Sequence, residues 1–244
     1  MASKKENTKA KTEEVVISNE QEAPTPISSF IEDPLNQAES FYTKYKKQLN
    51  LGGTILLGSI VAFLGWKYYI TSQENEAQSQ MFQAVYYFEA DSLSKALNGD
   101  GNYPGLIEIA DDYGLTNAGN LAKFYVGTTF LKQGKYEDAI SYLKDFSSND
   151  LLVQARAYSL LGDAYMELSQ YAEAVNYYHK ATNYKPNKEF TPTYMLKLAL
   201  AQEKNKDNEG ALSTYNSVLE KYPNSAAATD AKKNKGYLES ILEK

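Results

Sequence analysis

Cysteine is absent from this 244-residue chain. That excludes disulfides, thiolate metal sites, a cysteine nucleophile and a lipid-anchored N-terminal cysteine. Histidine occurs once, at His179, and arginine once, at Arg156. With a single guanidinium, bidentate recognition of phosphates or base edges has almost no material. Positive charge is also in deficit: 25 Lys+Arg stand against 31 Asp+Glu, a net charge of -6. No basic face for nucleic acid is expected from that balance. The chain also lacks a glycine-rich phosphate loop, an HExxH motif and a nucleophile elbow. Its glycine pattern "LGGTILLGS" has no following lysine for a phosphate, and adjacent Asp111 and Asp112 point about 100° apart on a helix. No catalytic constellation, cofactor site or metal site emerges, and the chain reads as a non-enzyme.

Proline is scarce at 7 and tyrosine abundant at 21, which suits helices carrying large amphipathic side chains. Residues 1–32 are polar and charge-mixed without sustained periodicity, the pattern of a disordered tail. Asp33 as N-cap and Pro34 at the first helical position predict a helix start, and residues 33–50 form an amphipathic segment through Leu35, Ala38, Tyr42, Tyr45 and Leu49. Residues 51–70, "LGGTILLGSIVAFLGWKYYI", carry no charge before Lys67. Twenty helical residues span about 30 Å, the hydrocarbon thickness of a bilayer. Trp66, Tyr68 and Tyr69 gather at one end, as at a headgroup layer. A transmembrane helix in contact with lipid is expected. Lys44, Lys46 and Lys47 precede the span, and after Lys67 the next basic residue is Lys95. The positive-inside rule then puts the N-terminus in the cytoplasm and residues 71–244 outside, in the periplasm of a bacterium.

The part after the span repeats itself. "NLAKFYVGTTFLKQGKYEDAISYLKDF" (120–146) aligns without a gap to "ARAYSLLGDAYMELSQYAEAVNYYHKA" (155–181). Gly127 meets Gly162, Phe130 meets Tyr165, Tyr136 meets Tyr171, Ala139 meets Ala174 and Leu143 meets Tyr178. A third unit (192–223) puts Ala199, Ala211 and Tyr215 in register, although Gln202 stands where the others have an aromatic. Unit starts 35 and 37 residues apart sit near the 34-residue period of the tetratricopeptide repeat (TPR), a helix hairpin that stacks into an α-solenoid. An all-α fold follows, with repeats at about 120–153, 155–188 and 192–223. Helices within 75–114 would cap one end, with Met81, Val85, Phe88 and Leu93 on one stripe. A helix over 225–243, started by Ser225 and including Tyr237 and Ile241, would cap the other. Small residues on the first helix (Gly127, Gly162, Ala199) should cross small residues on the second (Ala139, Ala174, Ala211) so that backbones approach. His179 follows the packing aromatic Tyr178, matches Lys144 of the previous unit, and reads as a surface residue.

First helices of such hairpins line the concave face at unit positions 2, 5, 9 and 12. Here those are Leu121, Phe124, Thr128 and Leu131; Arg156, Ser159, Asp163 and Met166; and Thr193, Leu196, Leu200 and Glu203. They lack the Lys and Asn of a carboxylate clamp. The lining is apolar at both ends with a polar middle, suited to an extended or helical protein segment. In architecture, and in the stretch 91–146 ("DSLSKALNGDGNYPGLIEIADDYG…"), the chain resembles the YfgM-like family of bacterial inner-membrane proteins, in the form found in Bacteroidota. That resemblance implies an accessory of the SecYEG translocon that works beside a PpiD-like periplasmic chaperone on secretory clients. The alternative is a structural repeat partner in cell-envelope assembly, either of outer-membrane proteins or of the division machinery.

Overall fold

A computed structural model describes residues 26–243, all helix and turn, with no strand among the described residues. Ten helices are described: α1 (Pro26–Glu89), α2 (Leu93–Asn98), α3 (Leu106–Asp112), α4 (Asn117–Lys132), α5 (Tyr136–Asp145), α6 (Leu151–Glu167), α7 (Tyr171–Asn183), α8 (Thr191–Lys204), α9 (Asn208–Lys221) and α10 (Ala226–Leu242). The described residues divide into two units, with the boundary between Phe63 and Leu64.

Of the described helices, the first unit contains only the beginning of α1. Residues 1–25 of the expected tail lie outside the described residues. The expected start at Asp33 is overturned, because α1 begins at Pro26 and continues through Pro34. Pro34 lacks the N–H that would bond the carbonyl four residues earlier, yet the helix absorbs that one missing bond. The apolar stretch that follows is exposed along its length. Leu51, Leu57 and Phe63 are 63%, 64% and 64% exposed. Thr54 Oγ1 and Ser59 Oγ donate to the carbonyls of Asn50 and Ile55, each at 2.8 Å, so even the hydroxyls of this stretch are satisfied within the helix. One helix long and apolar enough to cross a bilayer is thus present among the described residues, its mean hydropathy 1.6 and none of that window buried.

The second unit is a row of helix hairpins. The turn between the helices of each hairpin has one geometry. Gly134 (φ 74°), Ser169 (φ 56°) and Lys206 (φ 65°) each stand two residues after the first helix and two before the second. In each turn an N–H bonds the carbonyl five residues back at 2.9 Å: Lys135 to Phe130, Gln170 to Tyr165, Asp207 to Gln202. This is a Schellman closure around a left-handed residue. Asp91 (φ 54°) has the same placement between α1 and α2, and Ser92 N–H reaches Tyr87 O at 2.8 Å. The end of α1 and the short α2 are therefore a further, abbreviated hairpin. Its Ala84 and Ala96, both fully buried, occupy the small-residue positions of Gly127 and Ala139. The single stripe expected across 75–99 is broken at this turn, which separates Leu93 from Met81, Val85 and Phe88. A left-handed backbone costs an L-residue about 1–2 kcal/mol that glycine does not incur. Lys206→Gly is accordingly expected to raise unfolding free energy by about 0.5–1 kcal/mol, read as a higher urea midpoint at unchanged m-value.

Hydrophobic cores follow one another along the chain rather than forming a single centre. Ala77, Met81, Ala84, Leu106, Ile109, Ala122 and Val126 share one. Phe124, Leu143, Leu161, Tyr165, Ala174, Tyr178 and Leu198 share the next. Ala199, Ala211, Tyr215, Val218, Ala228 and Leu238 share a third. The helices are started by local acceptors: Thr116 Oγ1 for Gly119 N (3.0 Å), Asp150 Oδ1 for Leu152 N (2.8 Å), Asp207 Oδ1 for Gly210 N (3.0 Å) and Ser225 Oγ for Ala228 N (3.2 Å). On α10 the buried face is Ala227, Ala228, Ala231 and Leu238, while Tyr237 and Ile241 are exposed.

Candidate protein-binding groove

The groove depends on how closely the two helices of each hairpin cross. A Cβ built on Gly127 would lie 2.6 Å from Leu143 Cγ and 3.1 Å from the Ala139 carbonyl oxygen. One built on Gly162 would lie 2.5 Å from the Tyr178 ring. Ala139, Ala174, Ala199 and Ala211 are each fully buried. The residue at unit position 11 then meets the one at position 23. Phe130 and Tyr142 rings pack at 5.7 Å, and Tyr165 stacks on Tyr177 at 5.4 Å. In the third unit, Thr214 Oγ1 donates to Gln202 Oε1 at 2.8 Å. The missing aromatic at Gln202 is thus matched by a changed partner, and a hydrogen bond replaces ring packing at one helix crossing.

Between the first helices of successive hairpins lies a concavity of about 370 Å³. Four of the expected lining positions do line it: Leu131 from α4, Asp163 and Met166 from α6, and Leu200 from α8. At its floor Tyr178 Oη donates to Asp163 Oδ1 at 2.6 Å. Lys197 Nζ donates to both carboxylate oxygens of Asp163, at 2.8 and 2.7 Å. The charge pair links two adjacent units and neutralises Asp163 within the groove, whose lining also includes Glu167. Lys197 stands at unit position 6, beside the lining positions rather than among them. Its spacing alone gave no signal; only the carboxylate on the neighbouring unit defines its role.

The remaining candidates separate. Phe124 is buried against Tyr125 and Phe146, with ring centroids at 5.8 and 5.4 Å. Thr128 and Ser159 are buried beneath the surface, and Thr128 Oγ1 bonds the Phe124 carbonyl at 2.7 Å. Leu196 packs on the third core, while Arg156 and Thr193 are exposed outside this concavity. Glu203 accepts a hydrogen bond from Tyr215. Leu121 lines a second concavity of about 600 Å³ between the end of α1 and α4. His179 is exposed on α7 with Asn183 Nδ2 at 3.0 Å from Nδ1. Among the described residues no group of three His, Asp or Glu side chains is placed to hold a metal ion.

Burial, reinforced by the Asp163 carboxylate, holds the Tyr178 phenol well above its ordinary range, and burial with the Glu203 hydrogen bond does the same for Tyr215. A tyrosine with a raised folded-state pKa contributes stability that is fully present below its unfolded pKa of about 10 and lost above it. Stability should be flat from pH 7 to about pH 10 and then fall by about 1.4 kcal/mol per pH unit for each phenol kept neutral. Tyr178→Phe should reduce that slope. Urea melts between pH 8 and 11.5 measure both.

These features define the class: an all-α chain built on tetratricopeptide repeats, a fold that acts as a protein-interaction scaffold. The tetratricopeptide repeat family is matched at residues 127–188 and again at 193–225. Among solved structures, the chain is similar to the nearly identical TPR-like repeats of a Podosopora anserina putative kinesin light chain and to a single-substitution form of those repeats. Identity is 14% and 15%, with 93% and 92% of those chains and 70% of this one covered and a TM-score of 0.52 for both, a likeness of fold alone. No curated protein matches the sequence.

Proposed function

We propose that this protein is a membrane-anchored scaffold whose repeat domain holds a segment of another polypeptide. The apolar part of α1 spans the bacterial inner membrane with the N-terminus in the cytoplasm, and the repeats stand in the periplasm. The observation that carries this reading is the convergence of Leu131, Met166 and Leu200 from three successive hairpins on one open concavity. Such a surface, shared by adjacent units, takes a linear segment rather than a small molecule. The lysines before the apolar stretch and the acidic residues after it support the orientation. The resemblance noted over residues 91–146 names the setting: an accessory of the SecYEG translocon that handles secretory clients beside a PpiD-like chaperone. Photo-crosslinking residues placed at Met166 and Leu200 in intact cells test it. Translocon or periplasmic chaperone subunits should be captured at both positions. Capture only of cytoplasmic proteins, or no capture at either position, would overturn the assignment.

A further inference from the structure

The larger concavity lies between the last four turns of α1 and the start of α4. Its walls are apolar: Met81, Val85 and Tyr125 with Leu121 form the base, and Phe82 and Tyr86 stand 77% and 58% exposed on the rim. The backbone groups of both flanking helices are already satisfied, within the helices or by the Glu74 and Thr116 side chains, so the walls offer an extended chain no ladder of hydrogen bonds to replace those it would lose to water. A segment that closes its own backbone bonds escapes that cost. The charged residues on the lining are Glu74 and Glu89. Glu74 is already committed: its Oε2 accepts from Asn117 N at 2.6 Å and Ala118 N at 3.2 Å, closing the N-terminus of α4. Glu89, at the other end, is exposed, and with burial it helps hold the Tyr125 phenol above its ordinary range. Lys132, on α4 near that end, is engaged by Asp91 at 2.9 Å. The middle of the groove is therefore apolar, with Gln78 and Asn117 beside the amide-capped Glu74 at one end and the exposed carboxylate of Glu89 at the other. From Glu74 to Glu89 the groove runs about 22 Å at helical rise.

We propose that this groove binds an amphipathic α-helix of a partner protein, about four turns long, with its apolar stripe between Phe82 and Leu121 and a lysine or arginine against Glu89. The inference rests on the scaffold reading but concerns a different part of the surface, so each can fail without the other.

The test uses the full chain in nanodiscs of uncharged phosphatidylcholine. The probe is a fluorescein-labelled 16-residue peptide with a leucine stripe at helical spacing and lysines on its polar face. A second peptide replaces every lysine with glutamate. Anisotropy should show the lysine peptide binding at least about fivefold tighter than the glutamate peptide. Phe82→Ser should weaken the lysine peptide about tenfold, and Glu89→Lys should invert the preference between the two. Both side chains are exposed, so unchanged melting curves will show that the variants fold. Leu200→Ser, in the other concavity, should leave binding as it is. Equal affinities for the two peptides would overturn the proposal, as would indifference to Phe82→Ser and Glu89→Lys. Self-association abolished by Phe82→Ser would overturn it too, since a second copy would then own the groove.

Discussion

Ala174→Arg should destabilise the repeat domain by about 4 kcal/mol or more. Ala174 is fully buried in a core that also contains Phe124 of α4, Leu143 of α5, Tyr178 of α7 and Leu198 of α8. Arginine adds volume where Gly162 already lets the Tyr178 ring pack within van der Waals range of the backbone, and it takes a guanidinium away from water. The core sits in the middle of the row, so the loss propagates both ways and the whole domain should melt earlier. Thermal unfolding followed by circular dichroism measures it. An unchanged midpoint would mean that the hairpin register is wrong.

Tyr215→Ala should cost about 3–5 kcal/mol, with a different footprint. Tyr215 is fully buried among Ala199, Ala211, Val218 and Leu238, near the end of the row. Its hydroxyl bonds Glu203, and removing it leaves that half-buried carboxylate without its partner as well as opening a cavity. In a solenoid each unit rests chiefly on its neighbours, so damage at an end loosens the end first. Limited proteolysis should cut within residues 191–242 while residues 77–183 stay protected. Hydrogen exchange that rises uniformly across the domain would contradict this picture.

Several features were legible in the sequence because they recur. Gly127, Gly162 and Ala199 at a near-constant interval, each followed twelve residues later by alanine, carry the hairpin crossing without reference to tertiary structure. The uncharged run 51–66 is similarly self-evident. The abbreviated hairpin was harder to see. Ala84, Asp91 and Ala96 keep the spacing of Gly127, Gly134 and Ala139, but α2 ends at Asn98, before the position that Leu143 fills, and without that large side chain the likeness is faint. The α1 boundary at Asp33 misled for a physical reason: a cap-and-proline signature favours a helix start but does not forbid continuation. In the groove, Leu131, Met166 and Leu200 follow from unit positions. The neutralisation of Asp163 by Lys197 does not, because it depends on contact across two units. Phe124 and Ser159 occupy lining positions yet are buried, one under Phe146 and the other beneath the Lys197 amine.

The left-handed turn residue that closes each hairpin gives every cassette its own stop signal, independent of its neighbours. An array assembled this way is modular in length. Copying residues 155–189 in tandem would insert another hairpin with its turn and small-residue crossing already supplied, and the row should grow by one stride while the flanking units keep their packing. Lengthening or shortening the binding surface is thus a matter of cassette number, open to genetic duplication without any new solution to the folding problem.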